Sequence, residues 1–176
     1  GQNEIDFRYS DPMTAADNAL TFRAVVNTIA VQSGLAADFS PKPLPGQPGN
    51  GMHINISARS RDGRDVMPQV IAGILAHIAE MTVFFNTTEA SYQRFGSSKA
   101  PRYISWSSEN RSQLIRIPAA KGEYRRAELR SPDPLCNPYL AFALLIHAGL
   151  DGIEQELPLP EAADINFFSA PEAIKA

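Results

Sequence analysis

A single cysteine, Cys136, stands among 176 residues, so no internal disulfide can form and no cysteine-based zinc motif can be built. Such sparing use suits a reducing cytoplasm, and a cytoplasmic location is the expectation. No signal peptide and no long apolar run are legible, which sets a membrane role aside. Positive charge is not in excess either. The formal net charge is -3 and the sequence pI about 5.6, which argues against a general nucleic-acid binder. Walker A, GxSxG and HExxH signatures are missing, as are internal repeats and low-complexity tracts. Hydrophobic residues, at 44%, and charged residues, at 20%, support one compact domain or part of a larger one and exclude global disorder. The chain opens at Gly1 without a methionine, inside what reads as a strand, so a fragment or processed product is expected.

The most informative stretch runs from Asn110 to Pro134. Arg111 and Arg116 flank a short β-like run, and Arg126, Glu128 and Arg130 alternate on the next. Successive side chains of a strand point to opposite faces, so those three share one face and Ala127 and Leu129 take the other. A carboxylate between guanidinium groups stays ionised, and arginine forks match phosphate and carboxylate oxygens. A strand whose Arg and Glu merely solvate an outer face is the plainer alternative; the two preceding arginines favour a site.

Along the chain, residues 1–9 alternate as a strand with Glu4 and Asp6 on one face. Asp11-Pro12 is an N-cap with proline at the first helical position. A helix to Ser33 follows, with Leu20, Ala24, Ile29 and Val31 among its apolar positions and Gly34 as its stop. A short strand is expected over residues 37–40. The proline- and glycine-rich run 41–50 is a loop. It leads into GMHINIS, a half-buried strand with Met52, Ile54 and Ile56 on one face and His53, Asn55 and Ser57 on the other. Residues 68–85 place Ile71, Ile74, Leu75, Ile78, Thr82 and Phe85 at helical spacing, a core face beside which His77 is a surface or packing residue. Residues 86–101 are irregular, with a helical turn near Ser91–Arg94. Strands are expected over 102–107 and 112–117. Asn137-Pro138 starts a second capped helix, apolar nearly all round and therefore buried, with His147 as a core histidine. The tail beyond Leu157 is loop-like.

Glu4, His53 and Glu128 each lie on the polar face of an expected strand, and carboxylates with one imidazole suit Mg²⁺ or Mn²⁺. With Arg94, Arg111, Arg116, Arg126 and Arg130 beside them, the set describes metal-assisted phosphoryl transfer.

The segments GQNEI, the KP loop with NGMH, SYQR, APRYISWS, NRSQLIRIP, RRAELRSPDP and NPYLAFALLIHAGLDGI, in this order, resemble the catalytic domain of glutamine synthetase from Gly1 to about Ile153. The resemblance implies an α+β fold, a curved antiparallel sheet forming part of a barrel and backed by helices. Residues 1–157 would be part of that domain and 158–176 a loop-like extension of it. It implies an ATP-dependent glutamate–ammonia ligase acting through γ-glutamyl phosphate, with two Mg²⁺ or Mn²⁺ ions per site. The expected assembly is a homo-oligomer, a dodecamer whose active sites are shared between neighbouring subunits. Residue by residue, Glu4 matches a ligand of the metal on the glutamate side, and His53 and Glu128 match ligands of the phosphate-bridging metal. Arg94 and Arg130, with Gly49 beside them, match the residues holding the substrate carboxylate. Arg111 and Arg116 match those facing the transferred phosphate. Tyr9, Asn55, Ser57 and Arg126 fall at nucleotide positions, Asn55 where many members have histidine.

Lys99 departs from the pattern. It falls in the catalytic set where many members carry a flap glutamate that helps to deprotonate ammonium, and a lysine there would repel that cation. Either residues 94–99 align differently or the acceptor is not ammonia, so a γ-glutamyl ligase using another amine is an alternative, and a non-catalytic nucleotide- or glutamate-binding domain is a second. Phe168 stands where adenylylated members have tyrosine, which implies that this switch is absent.

Overall fold

The computed structural model describes residues 2–96, 100–120 and 122–171. In chain order it contains α1 (Pro12–Gln32), β1 (Ile54–Ile56), α2 (Met67–Phe85), α3 (Glu89–Tyr92), β2 (Trp106–Ser108), β3 (Ile115–Ile117), a 3₁₀ turn at Gly122–Tyr124, β4 (Ala127–Leu129) and α4 (Pro138–Glu154). The four strands form one sheet in the order β1-β4-β3-β2. The expected α+β arrangement of a helix-backed sheet is present. Two of the three pairings are antiparallel, and β2 runs parallel to β3, so the sheet is mixed.

Helix starts follow the local chemistry read from the sequence. Asp11 Oδ1 accepts from the Met13 and Thr14 amides at 3.1 Å each, and Asn137 Oδ1 accepts from those of Tyr139 and Leu140 at 3.0 and 3.2 Å. Each cap satisfies donors that a helix cannot pair internally, and proline follows both. Gly34 ends α1 with φ +69°, a left-handed conformation that glycine enters without strain.

The core joins Ile71, Ile74, Ile78 and Phe85 of α2, Ala141, Leu145 and Ala148 of α4, and Ile54, Ile115, Ala127 and Leu129 of the sheet. Helix α2 is long and apolar enough to cross a membrane by length and composition, a run not anticipated above. Half of it is buried inside this fold, as a core helix requires. Where α2 crosses α4, backbone meets backbone. A Cβ added at Gly73 would lie 2.0 Å from the Ala148 carbonyl oxygen, and one at Gly152 2.1 Å from that of Gln69.

Several expectations do not hold. Residues 2–9 form no strand. No described strand offers them a ladder, and the segment is held instead by Phe7 against Phe22, ring centroids 5.4 Å apart, and Phe22 in turn against Phe39. Residues 37–40 form none either, because Asp38 Oδ1 accepts from the Ser40 amide at 2.8 Å and closes a turn. Helix α1 buries only Ala16, leaving Ile29 and Val31 exposed. Helix α4 buries one face and leaves Leu140, Ile146 and Leu150 open; His147 is exposed rather than in the core. The tail is loop-like yet docked. Trp106 Nε1 donates to the Pro160 carbonyl at 2.9 Å, and Gln113 Nε2 donates to that of Ile165 at 2.7 Å.

His77 sits on the surface as expected and ties α2 to α4. Its Nε2 is 2.7 Å from Asp151 Oδ2, and its Nδ1 is 3.8 Å from Glu80 Oε2. The hydrogen bond to Asp151 raises the imidazole pKa above 6.5, against partial desolvation, and the same bond lowers that of Asp151. A raised histidine pKa stabilises the fold below the unfolded value, and that gain is lost as pH rises through the folded value. The melting temperature is therefore expected to fall modestly between about pH 6 and about pH 8, and His77→Gln should flatten the dependence. Thermal melts across that range check it.

Candidate active site

Register alone builds the polar face of the sheet. Asn55 pairs across β1 and β4 with Glu128, Glu128 across β4 and β3 with Arg116, and Arg116 across β3 and β2 with Ser107. Side chains directly opposite one another share a face, so one transverse row carries an amide, a carboxylate, a guanidinium and a hydroxyl.

Glu128 is the hub of that row. Its Oε2 accepts from Arg116 Nε at 2.6 Å, and its Oε1 lies 3.0 Å from Arg130 Nη1 and 3.1 Å from His53 Nδ1. Burial opposes ionisation here. The hydrogen bond from His53, the Arg130 charge and the hydrogen bond from Arg116 outweigh it and hold the carboxyl well below its ordinary range. Burial also pulls Arg130 down, against the attraction of Glu128, with the charges of Arg116 and Arg111 adding to the fall. The partners differ in one respect from the alternation read in the sequence. Arg126 shares the face, yet it donates from Nε to Asn55 Oδ1 at 3.0 Å, and Arg116 takes the place beside Glu128.

Arg94 lies next to this cluster, 2% exposed. Its Nη1 donates to Asn86 Oδ1 at 3.2 Å and to the Ser131 carbonyl at 3.1 Å. Gly49 passes directly over its stem, where a Cβ would fall 2.6 Å from Arg94 Cγ and 2.5 Å from the Pro41 oxygen. A Cβ on Gly51 would lie 3.1 Å from Arg94 Nη2 and 3.4 Å from His53 Nε2, so guanidinium and imidazole converge on one glycine. Burial lowers the Arg94 pKa, against the charge of Asp133. A guanidinium remains protonated all the same.

The structure therefore gathers His53, Glu128, Arg116, Arg130, Arg94 and Gly49, with Asn55 and Arg126 at the β1 side. Tyr9 and Ser57 are exposed, and Arg111 is exposed in the turn before β3. Glu4 is exposed in the segment before α1. Among the described residues, no group of three or more His, Cys, Asp or Glu side chains that could hold a metal ion comes together; at this site His53 and Glu128 meet as a pair. Lys99 lies outside the described residues. The sequence reading missed Asn86, which it placed only at the start of the irregular stretch 86–101, and Gly51. An asparagine after an apolar helix reads as a cap, and nothing local points it at Arg94, eight residues on.

The whole chain, residues 1–176, matches the family described as glutamine synthetase, catalytic domain. The chain belongs to that family. Glutamine synthetases from Methanosarcina mazei and Clostridium saccharobutylicum are 48% and 46% identical to it, over 95% and 98% of this chain and 40% and 42% of their own lengths. The glutamine synthetase of Thermus thermophilus is 46% identical over 96% of the chain and 41% of its own length. A solved structure described as a GmaS/ADP complex superposes with a TM-score of 0.84 at 29% identity, over 96% of this chain and 43% of the other. The chain thus spans about two fifths of the length of the curated relatives. This glutamine synthetase catalytic-domain segment has the helix-backed sheet read from its motifs, with β2 and β3 parallel and, among the described residues, without the strands expected over 1–9 and 37–40.

Proposed function

We propose that the full-length protein is a glutamate–ammonia ligase, joining ammonia to glutamate at the cost of ATP through γ-glutamyl phosphate and releasing ADP and phosphate. The observation that carries this reading is the Glu128 cluster: one buried carboxylate among two guanidinium groups and an imidazole, beside the buried Arg94 under Gly49. On this reading Arg94 and Arg130 bind the substrate carboxylate. Arg116 and Arg111 face the transferring phosphoryl group and offset the charge that grows on its oxygens. Tyr9, Asn55, Ser57 and Arg126 line the nucleotide, and the ADP named for the solved neighbour supports a nucleotide in this fold.

The donor set fits hard divalent cations, Mg²⁺ or Mn²⁺. His53 and Glu128 would hold one and Glu4 would contribute to the other. Such ions neutralise phosphate charge when bound. The remaining ligands, and the residues that bind ammonium, would come from the part of the relatives' length that this chain does not span. Residues 1–157 with the extension 158–176 would form one catalytic domain, placed in a cytoplasmic homo-oligomer, a dodecamer with sites shared between subunits. Phosphate release that requires glutamate, ATP and an amine together tests the reading, and release without glutamate or amine contradicts it.

One residue favours a second reading, a ligase for another amine: Lys99 in place of the flap glutamate. At about 4 Å and an effective dielectric near 20, a lysine opposes an ammonium ion by about 4 kcal/mol, and by less where the loop stays wet. Lys99→Glu in the full-length protein is expected to lower the ammonium KM about tenfold or more and to leave the glutamate KM nearly unchanged. Steady-state kinetics across ammonium concentrations check it; an unchanged or raised ammonium KM removes Lys99 from that role.

A further inference from the structure

We propose that Asn86, the residue that ends α2, is a positioning residue for Arg94, aiming its guanidinium at the carboxylate of the amino-acid substrate. This rests on the reading of Arg94 as a carboxylate-binding group.

The geometry builds outward from the helix. The apolar face of α2 is locked in the core as far as Phe85, which is fully buried. Asn86 follows at 1% exposure, its backbone N–H bonded to the Thr82 carbonyl at 2.9 Å and its Nδ2 reaching the same carbonyl at 3.4 Å. A guanidinium has donors only. The amide must therefore turn its oxygen to Arg94 and its nitrogen back to the helix, the orientation observed. Arg94 also donates to the carbonyls of Ser131 and Pro132, both in the segment after β4. Asp133 N bonds to the Phe85 carbonyl at 3.1 Å, which stitches that segment to the same helix end.

Among these acceptors, the Asn86 carbonyl is the one carried by a side chain on a rigid element, and it fixes the plane of the fork. An arginine has several rotatable bonds, and a bidentate contact to a carboxylate tolerates little error in that plane. Without the Asn86 oxygen, the stem stays clamped under Gly49 and Nη1 keeps the Ser131 carbonyl, but the fork loses the acceptor that the end of α2 supplies. Affinity for the carboxylate then falls without any loss at the nucleotide.

The test is made on the full-length protein, with glutamate, ATP and ammonium varied separately. Asn86→Ala is expected to raise the glutamate KM about tenfold while the ATP KM stays within about twofold. Asn86→Asp keeps an oxygen acceptor for Nη1 but loses the donor to Thr82. It should restore the glutamate KM to within about threefold of the parent even if its melting temperature drops. If Asn86→Ala cannot be recovered folded, Asn86→Gln, which displaces the oxygen by one methylene, carries the same expectation. A change of both KM values by the same factor, or of neither, overturns the inference and leaves Asn86 a helix cap. Arg94→Ala run alongside separates the two levels. An unchanged glutamate KM in that variant removes the carboxylate reading itself, whereas a raised one with an unaffected Asn86→Ala removes only the role of Asn86.

Discussion

Gly152→Ala is expected to destabilise the protein by about 3 kcal/mol or more, enough to unfold a marginal domain. The sign is informative. In an exposed helix interior, glycine to alanine is favourable by up to about 1 kcal/mol. Here the new methyl group would lie 2.1 Å from the Gln69 carbonyl oxygen, with Gly73 N at 2.8 Å and Gly73 Cα at 2.9 Å. All three are backbone atoms, so no rotamer can relieve the overlap and α2 must move away from α4. Gly73→Ala meets the Ala148 carbonyl at 2.0 Å and should behave alike. Gly149→Ala is the internal control, because its Cβ would meet only the Val70 side chain, at 3.1 Å, which can shift. Denaturant melts followed by circular dichroism should rank Gly149→Ala well above the other two. Equal stability of all three would mean that the helices do not cross at this distance.

The second large effect belongs to Glu128. Removing one partner of a buried ion pair typically costs about 3–5 kcal/mol, because the remaining charge stays buried without compensation. Glu128→Ala takes the carboxylate away from the guanidinium groups of Arg116 and Arg130, both largely buried, so a lowered melting temperature is expected whatever the function. The Arg126 contact to Asn55 should survive. If His53 and Glu128 hold a cation, Mn²⁺ affinity should also fall about tenfold or more, and Glu128→Gln, which keeps the shape, should restore part of the stability but little of the affinity. Calorimetric titration of the full-length variants decides it. Unchanged Mn²⁺ affinity reduces Glu128 to an ion-pair hub.

What was legible in the sequence follows the range of the forces involved. Helix starts at Asp11 and Asn137 and the stop at Gly34 are set by atoms a few residues apart, and they were read to within a residue or two. The alternation of Ile54, Asn55 and Ile56 was legible because a sheet has period two. Pairing is not local. Nothing in QNEIDFRY records that no described strand pairs with it, and nothing in the β2 or β3 segments records that they run parallel. The outer face of α4 shows the same limit: apolar composition predicted burial, yet Leu150 is 46% exposed. At the site, residue types and order singled out Glu128 and its arginines. Which arginine sits against it came from strand register, and the Asn86 contact from the end of a helix.

The central claim is that this domain belongs to an enzyme that phosphorylates the side-chain carboxylate of glutamate before an amine displaces the phosphate. Attack of that carboxylate on ATP puts one of its oxygens into the acyl phosphate, and attack of the amine at carbon expels that oxygen with the phosphate. Glutamate labelled with ¹⁸O in the γ-carboxylate, incubated with ATP, Mg²⁺, ammonium and the full-length protein, should therefore yield phosphate carrying one labelled oxygen per amide formed, as read by mass spectrometry. Phosphate free of label would contradict the account, whichever amine the enzyme uses.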